Sequence, residues 1–399
     1  MTKHLNRIEK LIAELCPEGV EFRELGKVMT IVRGASPRPI SSFITNDVSG
    51  INWIRIGDVK PDAKYITTTS QRITVEGARK SRNLRKGDFV LSNSMSFGRP
   101  YILQVDGCIH DGWIAMSDFT KSFAPDFLYH LLRSDPVQKY WQQKASNGTV
   151  QNLNADIVRA TTIPIPPLPI QEEIVKILDT FTELEAELEA ELEARKKQYA
   201  YYRDDLLTFG DDVEWKTLGE VAINLDSKRR PVTKRNRNEG EYPYYGASGI
   251  VDYVSEYIFD GSYLLVSEDG ANLLARATPI AFSETGKIWV NNHAHILEFK
   301  TFAERKFIEY YLNMIDLSRF LSTAAQPKLT QENLNRIPIP IPPLSEQERI
   351  VAILDKFDAL VNDISVGLPA EINARRRQYE YYRNKLLTFK PLEKEYARQ

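Results

Sequence analysis

The strongest constraint on this chain is that it repeats itself. Residues 163–181 read IPIPPLPIQEEIVKILDTF and residues 339–357 read IPIPPLSEQERIVAILDKF, at a constant offset of 176. Residues 195–209, RKKQYAYYRDDLLTF, match residues 375–389, RRRQYEYYRNKLLTF, at an offset of 180, so the second copy carries four extra residues between its two blocks. A third match precedes each half: VEFRELGKV at 20–28 and VEWKTLGEV at 213–221. Three matches in the same order make this a duplication, so the fold has to consist of two related halves. A length of 399 residues agrees with two to three domains.

Residues 171–209 carry a helical period. Apolar or aromatic side chains recur every seven positions at Ile174, Phe181, Leu188, Tyr202 and Phe209, with Arg195 in the remaining place. Ile177, Leu178, Leu184, Leu192, Tyr199 and Leu206 widen this row into a stripe. The run ELEAELEAELEA alternates like a strand, but Glu, Leu and Ala are strong helix formers. Glu191–Arg195 and Glu193–Lys197 are also spaced as i,i+4 ion pairs. In the second copy the seam runs Ile350, Phe357, Ile364, steps by four to Leu368, and resumes at Arg375, Tyr382 and Phe389. Such a step is a stutter, which a coiled-coil seam absorbs by unwinding; Gly367 and Pro369 at that place predict a kink or a short break.

Ser345 followed by Glu348 is a capping-box pattern for the second helix, and Pro169 stands in its place in the first. About 39 residues of unbroken helix span roughly 55–60 Å, more than one small domain needs. Two helices with facing apolar stripes are expected to pair, and an antiparallel pairing would set the two globular parts a fixed distance apart. The prolines before each helix could serve as an SH3-type ligand, but ending a strand and holding an extended entry to the helix is the simpler role.

Residues 20–162 and 213–338 have the short apolar runs of mixed domains, among them INWIRI at 51–56, DFVL at 88–91, SYLLV at 262–266 and KIWV at 287–290. Each half then has one helical stretch, at 125–144 and 303–322. Gly87 with Asp88 corresponds to Gly261 with Ser262 before an apolar strand. The predicted class is α+β: two mixed domains, each followed by a long helix, in an internal pseudo-two-fold repeat whose helices pair as an antiparallel coiled coil. The expected boundaries are 1–162 and 210–338 for the globular domains, 163–209 and 339–389 for the helical segments, and 390–399 for a tail.

A formal charge of −2 does not announce a polyanion-binding protein, but a near-neutral total can hide a basic face balanced elsewhere. Lys228, Arg229, Arg230, Lys234, Arg235 and Arg237 share one proline-containing loop opposed by Asp226 alone. Arg79, Lys80, Arg82, Arg85 and Lys86 form a second cluster in the other half. Such clusters suit phosphate contact, or are simply solvated loops. Base edges are read by Arg, Lys, Asn, Gln and Ser side chains on loops. Candidates are Ser92, Asn93, Ser94 and Arg99 after one strand, and Ser267, Asn272 and Arg276 after its counterpart. Tyr244, Tyr245 and Ser248 follow Pro243 where Ile54, Arg55 and Asp58 stand in the first half.

Chemistry of its own is hard to find. The chain has no G-x-x-x-x-G-K-[ST], no glycine-rich dinucleotide or adenosyl fingerprint, and no [DNS]-P-P-[YFW] amino-methyltransferase motif. The D-x-K at Asp62 and Lys64 lacks a separated acidic partner for a nuclease, and His293 with His295 alternate as strand neighbours would without further metal ligands in view. Cys16 and Cys108 are far apart and form no C-x-x-C pair, against a cysteine zinc site or a disulfide framework and in keeping with a reducing compartment. Residues 1–10 have no apolar core of a signal peptide, and no stretch approaches eighteen apolar residues, so a soluble cytoplasmic protein without a membrane partner is expected.

The doubled pattern I-P-x-P-P-L-x-x-Q-x-x-I-x-x-I-L-D, with a helix ending R-x-x-Q-Y-x-Y-Y-R-x-x-L-L-T-F, at 163–209 and 339–389, resembles the specificity subunit of type I restriction-modification systems. The approach V-E-[FW]-x-x-L-G-x-V resembles the start of that family's target-recognition domains. The resemblance implies a non-catalytic subunit without cofactor that reads a split double-stranded DNA target, one half per recognition domain. It implies that two methyltransferase subunits dock on the helices and that restriction subunits join them. S-adenosylmethionine, ATP and Mg would then belong to those partners. The Glu-Leu-Glu-Ala run at 183–194 resembles the tetrapeptide spacers of one branch of the family. Rival readings are a coiled-coil scaffold that does not touch DNA and a self-sufficient DNA enzyme.

Overall fold

Each globular part is closed by pairing its first strand with the proline-containing strand that leads into its helix. The computed structural model describes residues 2–59, 63–93, 97–145, 152–269, 272–276, 278–322 and 327–392. They divide into two units, Met1–Glu187 with Ile372–Gln399, and Leu188–Glu371.

The first unit begins with α1 (Thr2–Leu15), β1 (Glu21–Glu24), β2 (Thr30–Arg33), β3 (Ile44–Thr45), β4 (Ile51–Ile54), β5 (Tyr65–Ile66) and β6 (Gln71–Ile73). Then come α2 (Val75–Arg79), β7 (Arg82–Leu84), β8 (Phe89–Ser92), β9 (Pro100–Leu103), β10 (Gly107–Ile109) and β11 (Trp113–Ser117). It continues with α3 (Pro125–Leu132), α4 (Asp135–Ala145), α5 (Ala155–Arg159), β12 (Thr162–Ile165) and the start of α6 (Leu168–Leu206). Two five-stranded sheets form, in the orders β3-β6-β4-β10-β7 and β2-β11-β8-β9-β5, while β1 pairs antiparallel with β12 and sets Phe22 opposite Pro164. The apolar run of β8 is buried on both faces, which explains why DFVL has no polar alternation. Val90 turns with Trp113, Ala115 and Tyr101 toward the other sheet. Phe89 and Leu91 turn with Ile114 and Met116 toward Phe127, Leu131 and Trp141 of the helices.

The second unit contains β13 (Glu214–Thr217), α7 (Leu218–Val221), β14 (Ile223–Asn224), β15 (Glu239–Gly246), β16 (Gly249–Val254), β17 (Phe259–Ser267) and α8 (Asn272–Ala275). It continues through β18 (Ala281–Val290), β19 (Ala294–Glu298), α9 (Phe302–Met314), α10 (Gln331–Asn335), β20 (Pro338–Ile341) and α11 (Leu344–Asn362) to the start of α12 (Leu368–Leu386). Its main sheet has six strands, β14-β19-β17-β18-β15-β16, and β13 pairs with β20 so that Trp215 faces Pro340 as Phe22 faces Pro164. The duplication therefore kept the closing strand pair and the helices, while the sheets diverged. Gly261 shows the divergence: it lies inside β17, whereas Gly87 precedes β8 in a left-handed conformation with φ of 95°.

Helix α6 runs unbroken for 39 residues, while its counterpart is split into α11 and α12. The break comes where the stutter predicts it. Asp363 Oδ1 accepts hydrogen bonds from Ser365 N (2.7 Å), Ser365 Oγ (2.5 Å) and Val366 N (3.2 Å), an Asx turn that competes with the helix. A Cβ on Gly367 would overlap the Ala359 carbonyl oxygen, and Pro369 fits because it falls in the first turn of α12. Ile364 is thereby expelled from the expected seam and is 79% exposed.

Other seam positions divide. Ile174, Phe181, Leu188 and Ile350 are buried as expected. In the first unit Phe181 stacks on Tyr382 of α12 (5.5 Å between centroids) and Glu185 pairs with Arg376, an antiparallel order. In the second unit Tyr199 and Tyr202 of α6 stack on Phe357 of α11 (6.2 and 5.6 Å). Phe209 and Phe389 lie beyond the helix ends at Leu206 and Leu386, so neither is a seam residue. Phe209 packs edge-on against Phe307 (5.9 Å), and Phe389 joins the first unit's core.

The expected capping box of Ser345 and Glu348 does not form, because α11 starts at Leu344 with Pro343 at the N-cap. The repeated glutamine of the motif fastens the helix start instead. Gln347 Nε2 donates to the Pro342 carbonyl (2.9 Å), and Gln171 Nε2 donates to the Pro166 carbonyl (2.7 Å). On α6, Glu191 pairs with Arg195 (3.3 Å) as spaced, but Glu193 takes Lys196 (3.0 Å) in place of Lys197. At the far end of α12 the chain returns to the first unit, with Val20 N donating to Lys390 O and Leu392 N donating to Val20 O, each at 2.8 Å.

Candidate nucleic-acid interface

The basic loop between β14 and β15 is pinned by its own charges. Asp226, 7% exposed, accepts hydrogen bonds from Ile296 N (3.0 Å) and meets His295 Nδ1 (2.5 Å). Burial alone would raise the Asp226 carboxyl; the His295 contact, the Ile296 amide and Arg229 together hold it below the usual carboxylate range. Arg229 reaches inward to Asp226 (3.3 Å), Glu268 (2.8 Å) and the Ala294 carbonyl (2.8 Å). Arg237 donates to Val232 O (3.0 Å) and Asp252 (3.0 Å), and its guanidinium lies 4.2 Å from the Tyr244 ring centre. The Trp289 indole donates to the Arg230 carbonyl (2.6 Å). These ties leave Lys228, Arg230, Lys234 and Arg235 exposed, with Lys234 near the Asp252 carboxylate.

Several residues predicted to contact a ligand are therefore taken up internally. Arg229 and Arg237 hold the loop. Tyr244 and Tyr245 are 1% and 3% exposed, so their rings cannot meet a base edge, and the Tyr244 hydroxyl is engaged by Val232 N (2.9 Å). Arg276, at a φ of 50°, donates to the Leu312 (3.3 Å) and Ile315 (3.0 Å) carbonyls at the end of α9. Asn272 closes a short loop through Thr278 O (2.9 Å) and Thr278 N (3.0 Å). Ser267 is buried and donates to Ala247 O, while Ser248 is exposed at the β15–β16 turn.

In the first unit Arg79, Lys80, Arg82, Arg85 and Lys86 are all exposed around β7, the edge strand of its sheet. Lys80 pairs with Glu76 (2.9 Å) and covers the Phe43 ring at 4.4 Å. Of the other four, Arg85 lies near the Asp88 carboxylate, and all four are exposed. Ser92 and Asn93 are buried, and Asn93 Nδ2 donates to the Asp111 carbonyl (3.2 Å), so both belong to the scaffold. Ser94 lies outside the described residues, and Arg99 is exposed. Arg38, not singled out from sequence, is 85% exposed beside Asp111 (3.8 Å). Its setting, Ser-Pro-Arg-Pro, is the signal that would have found it.

Each unit thus presents cations on a fixed framework, while the alternate glutamates at 183–193 of α6 supply the balancing charge behind the total of −2. Exposed Lys and Arg on a rigid loop suit the phosphate backbone of a nucleic acid.

A family model for the type I restriction modification DNA specificity domain matches twice, over residues 17–194 and 210–374. A Haemophilus influenzae protein described as a type I restriction enzyme specificity subunit is 41% identical over 189 residues, 46% of this chain and 49% of its own. The match thus spans about half of that relative. The Escherichia coli type I restriction enzyme EcoprrI specificity subunit is 28% identical over 382 residues, covering 90% of this chain and 92% of the relative. The crystal structure of a type I restriction-modification system S subunit from M. genitalium shares the fold, with a TM-score of 0.56 over 92% of this chain and 96% of that one at 16% identity. Two matched segments that together take in most of its length, one in each half of the duplication, make this chain a member of the type I restriction modification DNA specificity family.

Proposed function

We propose that this chain gives a type I restriction-modification enzyme its target, each globular unit reading one half of a bipartite DNA sequence. The observation that carries the reading is that two units joined to their helices by the same motifs present different sheets and different basic loops. Equal attachment suits two copies of one partner, and unequal surfaces suit two different half-targets. Lys228, Arg230, Lys234 and Arg235 in one unit, and Arg79, Arg82, Arg85 and Lys86 in the other, would take phosphate. Exposed Arg99, Ser248 and Arg38 are candidates for base edges.

The chain itself is proposed to be non-catalytic. Two methyltransferase subunits on the helices would bring S-adenosylmethionine, and restriction subunits would bring ATP and Mg chemistry, in the cytoplasm. Among the described residues no helix is long and apolar enough to cross a membrane. The Glu-Leu-Glu-Ala run of α6 would act as a spacer, since four helical residues add about 6 Å, comparable with one to two base-pair rises.

Single-molecule mapping of methylated adenines, in cells carrying this chain with its methyltransferase partner, tests the reading. A bipartite motif that appears with the chain and vanishes without it is expected. An electrophoretic shift experiment with both proteins should show binding to duplexes bearing that motif. Methylation independent of this chain, or modification by the chain alone, would overturn it.

A further inference from the structure

Both copies of the motif end in Ile-Leu-Asp, and both aspartates hold a helix of their own globular part. In the first unit Asp179 of α6 meets His130 Nε2 of α3 at 2.9 Å. The other ring nitrogen, Nδ1, lies 2.8 Å from the Tyr379 hydroxyl of α12. A carboxylate only accepts, so Nε2 carries the proton and Nδ1 accepts from Tyr379. One imidazole with no exposed surface therefore ties α3, α6 and α12 together, and Lys64 adds contacts to Asp179 (3.2 Å) and Asp126 (2.6 Å). In the second unit Asp355, at the same place in the repeat, accepts from the Tyr310 hydroxyl of α9 at 2.5 Å. Tyr310 is 6% exposed.

These ties border buried apolar clusters that include Ile174, Leu178, Phe127 and Leu131 in the first unit and Leu354, Phe307 and Tyr311 in the second, with Arg133 and Arg383 over the Tyr379 ring and Lys306 over Tyr310. Apolar packing is non-directional and tolerates small rotations of one helix on another. A charge-assisted hydrogen bond does not, because its distance and angle are narrow. A buried polar group inside a helix interface is the established way for a chain to fix register at some cost in stability.

We infer that Asp179 and Asp355 are positioning residues that fix the orientation of each globular unit on its own helix pair, and so set how strictly the gap of the target is measured. This rests on the proposed reading of a bipartite DNA target. Exposed residues such as Arg99, Ser248 and Arg38 would choose the bases, while the two aspartates set the strictness of the spacing. The duplication kept the aspartate and changed its partner from imidazole to phenol, which preserves an orienting bond while the surrounding helix diverged.

The test uses the full methyltransferase complex and a set of duplexes with identical half-targets and gaps one base pair shorter, correct, and one longer. Tyr310→Phe removes the donor, and Tyr310→Phe with Asp355→Leu replaces the tie by apolar contact. Both variants are expected to methylate the correct gap at near wild-type rate while preference over the neighbouring gaps falls by about tenfold, the weight of one charge-assisted hydrogen bond. Half-target sequence preference should stay unchanged. Gap preference equal to wild type in Tyr310→Phe, or methylation of all gaps falling in proportion, would overturn the inference and leave the tie merely structural. Melting of each complex separates a misfolded double variant from a loosened one, and the single variant then decides. If the wild-type complex itself shows no gap preference, it is the bipartite reading that fails.

Discussion

Replacing Gln171 by Ala should destabilise the first unit far more than the equivalent change at Gln347 destabilises the second. Gln171 has no exposed surface. Its amide accepts from Ala124 N (2.9 Å) and donates to Ser122 O (2.8 Å) and Pro166 O (2.7 Å), tying the start of α6 to the residues that enter α3. At about 1 kcal/mol for each bond, and more where the abandoned group stays buried, the loss is about 3–4 kcal/mol. Gln347 has one such bond, to Pro342 O (2.9 Å), for a loss of about 1–2 kcal/mol. Urea unfolding of each variant should show this order. Hydrogen exchange adds a site-specific reading, because the Ala124 amide loses its acceptor only in Gln171→Ala. Equal destabilisation of the two variants, or an Ala124 amide as protected as in wild type, would refute the claim that the motif glutamine staples the helix to the globular part.

Further expectations concern charge and length. Arg229→Ala removes the cation shared by Asp226 and Glu268 while Asp226 keeps His295 and the Ile296 amide, and should cost about 1–3 kcal/mol, visible as a lowered melting temperature. Arg230→Ala and Lys234→Ala should leave melting unchanged and each reduce the salt slope of DNA binding by about one; the opposite pattern would reassign the loop. Burial holds the His130 pKa below its ordinary value despite the Asp179 contact, so the unfolded chain takes up this proton first. Stability should therefore fall as pH drops below about 6.5, and His130→Gln should flatten that limb without abolishing it, since half-buried His110 is shifted the same way. An unchanged slope in the melting curves would count against it. Inserting one Glu-Leu-Glu-Ala after Ala194 should lengthen the methylated motif's gap by one to two base pairs, on a rise of about 6 Å; an unchanged gap would end the spacer idea.

The duplication and the helices were legible in the sequence because a seven-residue period and matched segments survive without knowledge of contacts. So was the break at Gly367, since a stutter beside Gly and Pro has few other outcomes. The surfaces were not legible to the same degree. Arg229 and Arg230 are neighbours in one polar loop, yet one is half-buried and paired while the other is exposed. The difference is decided by Glu268 and Ala294, which are distant in sequence. Tyr244 and Tyr245 were placed on a reading surface by their type, but both face into the sheet's packing. Phe209 and Phe389 kept the seven-residue period past the helix ends, where the period no longer describes geometry. The ties at Asp179 and Asp355 were visible only as repetition, because their partners on α3 and α9 belong to the diverged part of the chain.

The return of the segment after α12 to Val20 bears on the order in which the protein can be made. The second unit, Leu188–Glu371, is an uninterrupted stretch, while the first needs residues from both ends of the chain. Tyr379, Leu386, Leu387 and Phe389 belong to the first unit's core. A ribosome therefore releases every residue of the second unit before it has made the last part of the first. The half that is begun first is completed last, so the nascent chain must carry an unfinished first domain, with part of its apolar core uncovered, while the whole of the second unit is made.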